Sequence, residues 1–122
     1  MRLLDLLYFD DNRNMEEKTA VVSLAALAQG MRLRIFRALV GAAPQGMTPG
    51  TLGATLGVPA STLSFHLKEL THAGLISPER EGRHIIYKPS LSHMNELLAY
   101  LTAHCCQGAP CAAVEATSCI NC

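Results

Sequence analysis

Apolar positions recur at helical spacing through the first half of the chain, interrupted by glycine and proline. Residues 16–29 are rich in Ala, Leu and Val with acidic residues first, which suits a helix N-terminus and its dipole. Gly30 is expected to break this helix. From Arg32 to Val40, Ile35, Phe36 and Leu39 form one stripe with Arg34 and Arg37 off it, which predicts a second helix. A loop containing Pro44 spans residues 43–46. Thr48 and Pro49 then provide an N-cap and a first-turn residue. Leu52 and Leu56 face one way in a short helix stopped by Gly57. Another helix starts near Pro59, with Leu63, Leu67 and Leu70 on its inner stripe, and Gly74 ends it. A short helix, a glycine turn and a second helix make a helix-turn-helix.

The period then changes. In "LISPEREGRHIIYKP", two apolar runs flank the charged stretch from Glu79 to Arg83, which predicts a two-stranded hairpin with a basic tip. Met94, Leu97, Leu98 and Leu101 return to helical spacing, predicting a helix from about Ser92 to His104. Its stripe has no large core left to join, so a second copy of the chain is the natural partner. Residues 1–15 read as an N-terminal extension, residues 16–104 as one folded domain, and residues 105–122 as a cysteine-rich tail. The fold class is mostly α, or α+β: a winged helix-turn-helix, dimeric through its terminal helices.

Composition refines this picture. At 122 residues and 49% hydrophobic, the chain has enough apolar surface for a modest core and an interface. The net charge is zero, but residues 16–89 hold eight Lys/Arg against five Asp/Glu, so any anion-binding surface lies in the middle of the chain. No stretch reaches the roughly 18 apolar residues of a membrane span. Asp5, Asp10 and Asp11 make the N-terminus a poor secretory signal. The expectation is a cytoplasmic protein without a membrane partner. All five cysteines, Cys105, Cys106, Cys111, Cys119 and Cys122, fall in the last eighteen residues. An odd number in a reducing compartment points to metal or redox chemistry rather than a disulfide framework. Adjacent cysteines also bridge each other poorly, because the geometry is strained.

The second helix of the pair, within "PASTLSFHLKELTHAGLI", carries Ser61, Thr62, Ser64, Phe65 and Lys68 mostly off the leucine stripe. Such residues at the start of a recognition helix can enter a major groove and meet base edges or phosphates. His66 falls between the faces, where it is either a phosphate donor or a satisfied, partly buried histidine. Arg80, Arg83 and His84 are expected at the wing tip, contacting phosphate or the minor groove.

"STLSFHLKELTHAGLI" followed by "EREGRHIIYKPS" resembles the ArsR/SmtB family of winged helix-turn-helix metalloregulators, over about residues 16–106. The stretch from Ser64 to Leu70, with Gly82, Arg83 and Tyr87, carries the resemblance. It implies a homodimeric repressor, not an enzyme, that leaves operator DNA when a metal or metalloid binds. Family members place ligands differently. A Cys-x-Cys motif in the first helix of the DNA-binding pair is absent from residues 47–58. A zinc pattern in the last helix is half present: His93 and His104 have the spacing, but Leu91 and Gln107 fill the flanking slots. Zinc generally takes four good ligands, so a zinc-responsive repressor is the alternative reading.

The thiols remain. Cys105 and Cys106 are expected at the end of the last helix, and Gly108 and Pro110 let Cys111 turn back towards them. Soft thiolates select soft ions. Three sulfurs suit arsenic(III) or antimony(III) as inducer, and two suffice for an organoarsenical. The resemblance agrees, because arsenic-responsive members carry a vicinal pair there. Cys119 and Cys122 form a secondary pair. A thiol-based redox switch is a further alternative. No organic cofactor is implied.

Overall fold

The computed structural model describes residues 15–103. The extension over residues 1–14 and the tail bearing His104, Cys105, Cys106, Cys111, Cys119 and Cys122 lie outside the described residues. The chain forms α1 (Glu17–Leu27), α2 (Gly30–Ala42), α3 (Pro49–Leu56), α4 (Ala60–His72), β1 (Ile76–Glu81), β2 (His84–Pro89) and α5 (Leu91–Leu101). This is a winged helix-turn-helix. Among the described residues no single helix is long and apolar enough to cross a membrane.

Gly30 opens α2 rather than ending α1. The break is made by Gln29, whose extended backbone caps α2 while its side-chain Oε1 accepts from the Arg32 N–H at 2.8 Å. Thr48 caps α3 as the sequence predicts, its hydroxyl accepting from the Thr51 N–H with Pro49 in the first turn. Gly57, left-handed at φ 69°, ends α3 and sets the turn into α4.

The core forms between α2, α3, α4 and the base of the wing. Ile35, Phe36 and Leu39 of α2 meet Leu52 of α3, Leu63, Leu67 and Leu70 of α4, and Leu75 and Ile76 beyond it. A smaller cluster joins α1 to α5 through Met15, Ala20 and Leu97. Met15 therefore belongs to the fold and not to the extension. The α5 stripe splits: Leu97 is buried against α1, but Leu98 and Leu101 remain 52% and 51% exposed. The helix closes at Leu101, short of His104, where the Thr102 N–H and hydroxyl both return to the Leu98 carbonyl. It thus ends before the cysteine pair rather than on it.

The wing is longer than the sequence suggests. Its strands pair in register from Ile76↔Pro89 to Glu81↔His84, leaving Gly82 and Arg83 as the turn. A second pairing fixes the wing to the helices. The Met47 and Tyr87 backbones exchange hydrogen bonds of 3.0 and 2.8 Å, tying β2 to the loop before α3. Gly46 makes this possible: at φ 83°, a Cβ there would lie 2.6 Å from the Tyr87 carbonyl oxygen.

Candidate nucleic-acid interface

On α4, the leucines fix which side faces out. Leu63, Leu67 and Leu70 are buried, so Ser61, Thr62, Ser64, Phe65 and Lys68 are left exposed, as expected. Ser61, Phe65 and Lys68 share one stripe at helical spacing, with Thr62 beside it. The helix starts at Pro59, with no side chain capping it, and the first N–H returning to a carbonyl is that of Leu63, to Pro59. The earlier amides of the first turn point outward at the positive end of the helix dipole.

His66 is corrected to the inside. It is 8% exposed, and its Nδ1 lies 3.4 Å from Nη1 of Arg32 on α2. Burial holds its pKa below the ordinary histidine value, the Arg32 charge adds to this, and Glu69 partly opposes it. A neutral ring fits the geometry, with Nδ1 accepting from the guanidinium. The ring does not stand on the outer face and cannot serve as an exposed phosphate donor there. The reason is helical phase: position 66 lies between Leu63 and Leu70, inside the leucine stripe.

Arg32 is also turned inward, its Nε donating to the Ala26 carbonyl at 2.8 Å. Lys88 pairs with Glu79 on the wing at 3.0 Å. Exposed Arg80 and Arg83 on the wing and Lys68 on α4 then carry its positive charge towards solvent. The expected tip cluster is divided, however. Side chains alternate across a strand, and directly paired residues share a face. Arg80 pairs with Ile85 and shares a face with Tyr87, while His84 pairs with Glu81 on the opposite face. Arg83 occupies the turn itself. An open groove of about 540 Å³ lies between α3 and α4, bounded by Pro49, Gly53, Leu63 and Ser64, with Tyr87 of the wing at its edge.

No group of three or more His, Cys, Asp or Glu side chains among the described residues could hold a metal. His93 has another job. The Ser23 hydroxyl donates to the Thr19 carbonyl at 3.0 Å, so its oxygen accepts from His93 Nε2 at 2.8 Å. That nitrogen carries a proton in this arrangement and presents no lone pair to a metal. The same ring packs against Gly74, just beyond α4. Ser23 itself is fully buried. Its signal in the sequence is a polar residue in phase with Ala20 and Ala26, since an inward hydroxyl needs a partner. Arg32 gave no such signal.

A helix-turn-helix exposing a polar and aromatic face that includes Lys68, with a basic wing beside it, defines a DNA-binding regulator and not an enzyme. The comparisons agree. A helix-turn-helix domain family matches residues 27–79. No curated protein sequence matches the chain. Among solved structures, HlyU from Vibrio cholerae is 34% identical, with a TM-score of 0.57, over 76% of this chain and 100% of its own. A possible transcriptional regulator for arsenical resistance is 28% identical over 66% of this chain and 81% of its own, with a TM-score of 0.57. The winged helix-turn-helix domain of Mb0332 from Mycobacterium bovis, a homodimer and possible ArsR-family transcriptional regulator, shares the fold. It is 23% identical over 72% of this chain and 86% of its own, with a TM-score of 0.56. The chain belongs to the ArsR/SmtB-type winged helix-turn-helix transcriptional regulators.

Proposed function

We propose that this chain is a cytoplasmic, homodimeric repressor that binds operator DNA through α4 and the wing. Arsenic(III) or antimony(III) bound by Cys105, Cys106 and Cys111 releases it. The observation that carries the reading is the position of the thiols in the chain. Cys105 follows only four residues after the end of α5, the helix whose His93 touches both α1 and Gly74 just beyond α4. A ligand pulling on that segment acts on a helix already in contact with the turn that ends the reading head.

Dimerisation is supported by α1 and α5, which pack together yet leave Val21, Val22, Leu24, Leu98 and Leu101 exposed. Mb0332 is a homodimer of the same fold. One of the similar structures is a possible transcriptional regulator for arsenical resistance, which supports the choice of ion. Zinc is less well served, because Leu91 and Gln107 fill two of the four slots of the zinc pattern. Thiolates must lose their protons to bind the ion, so binding releases protons.

Mass measurement on reduced protein with arsenite tests the reading. One arsenic gained with three hydrogens lost supports three-thiolate binding. Loss of two hydrogens without arsenic supports a redox switch instead. Cys119 and Cys122 are assigned a secondary role and are not required.

A further inference from the structure

We propose that Phe65 reads the C5-methyl group of a thymine in each operator half-site, an inference that rests on α4 being the recognition helix. Phe65 is 55% exposed in the middle of the outer face of α4. A large aromatic ring held in water there is a standing cost that burial against an apolar surface would remove. The ring is also positioned. Its centroid lies 5.4 Å from that of His66, in an edge-on arrangement at 63°, and His66 is buried against Arg32. Phe65 therefore offers a supported apolar surface rather than a free side chain.

Its neighbours narrow what it can recognise. Exposed around it are Ser61, Thr62, Ser64 and Lys68. None of these is Arg, Asn or Gln, the side chains whose paired hydrogen bonds select guanine or adenine in the major groove. Serine and threonine hydroxyls bond to several base edges and discriminate little. Lys68 can meet a guanine or a phosphate. The apolar feature that distinguishes one base in the major groove is the thymine methyl, and Phe65 is the large apolar side chain on this face, offering far more surface to it than the Thr62 methyl.

The test uses the full-length reduced protein and a duplex it selects from a random library. Each thymine is replaced in turn by deoxyuridine, which removes the methyl and keeps every hydrogen-bonding group. The wild type is expected to lose about fourfold in affinity at one thymine per half-site, the value of one buried methyl group. Phe65→Ala, whose exposed site leaves the core untouched, should bind thymine and deoxyuridine there equally. Phe65→Leu should retain part of the difference, which a mere loss of fold would not. Wild-type binding indifferent to every replacement, with a duplex still selected, overturns this proposal alone. So does a Phe65→Ala variant that keeps the full methyl response. Failure to select any duplex overturns it together with the operator reading.

Discussion

Replacing Gly74 with alanine should loosen the junction between the recognition helix and α5. Gly74 has φ +81°, a left-handed conformation that costs an L-residue about 1–2 kcal/mol. An added Cβ would also lie 3.1 Å from Cε1 and 3.3 Å from Nδ1 of His93, closer than ordinary contact. The ring cannot retreat freely, because its Nε2 is bonded to buried Ser23 at 2.8 Å. Giving up that bond costs about 1 kcal/mol more. The total is about 2–3 kcal/mol, and even the lower figure shifts the folded-to-unfolded ratio about thirtyfold. Urea unfolding at one fixed protomer concentration measures it, since a dimer's stability depends on concentration. In a His93→Ala background the backbone strain persists while the steric part disappears, so Gly74→Ala should cost about 1 kcal/mol less there. A Gly74→Ala variant as stable as the wild type would refute this reasoning. An equal cost with and without the His93 ring would remove the steric half of it.

Ser23→Ala leaves the His93 Nε2–H without its acceptor and should cost about 1–2 kcal/mol in the same assay. Because the pKa of His66 is lowered in the folded state, the unfolded chain binds more protons as pH falls through the ordinary value of 6.5. Stability should therefore be constant above that pH and decline below it, by at most about 1.4 kcal/mol per pH unit. His66→Leu should flatten this decline in unfolding curves taken between neutral and mildly acidic pH. Lys68→Ala and Arg83→Ala, both at exposed positions, should weaken operator binding without unfolding the protein. Each should reduce the slope of log affinity against log salt by about 1 if its side chain meets a phosphate. Cys111→Ser should abolish the arsenite response but spare that to a methylated arsenical, as read by operator release.

Much of the fold was legible in the sequence because its signals are local. The leucine stripe of α4, the Thr48-Pro49 cap and the turn at Gly57 each act within a few residues of themselves. What was missed depends on partners distant in the chain. Helical phase sets position 66 beside Leu63 and Leu70, but the partner of the buried ring, Arg32, reaches across from α2. The commitment of His93 needs Ser23, seventy residues away. The division of the wing's basic residues follows from strand register, which the short apolar runs underdetermined: a turn of Gly82 and Arg83 puts Arg80 and His84 on opposite faces. The α5 stripe was read correctly as exceeding the core, since Leu98 and Leu101 stay exposed, but its end was set three residues too late. Thr102 closes the helix with its own hydroxyl, a local competition that periodicity does not register.

Arsenic(III) bound by the thiols is proposed to lower operator affinity. Fluorescence anisotropy of a labelled operator duplex, with reduced protein bound and arsenite titrated in, tests it most directly. Release of the wild type is expected, with affinity falling about 5–150-fold, the usual range for coupling between two sites. Cys105→Ser and Cys106→Ser should bind the duplex normally and stay bound, while the Cys119→Ser/Cys122→Ser pair should be released like the wild type. A wild-type complex that persists at saturating arsenite, or a Cys105→Ser/Cys106→Ser double variant released as readily as the wild type, would contradict it.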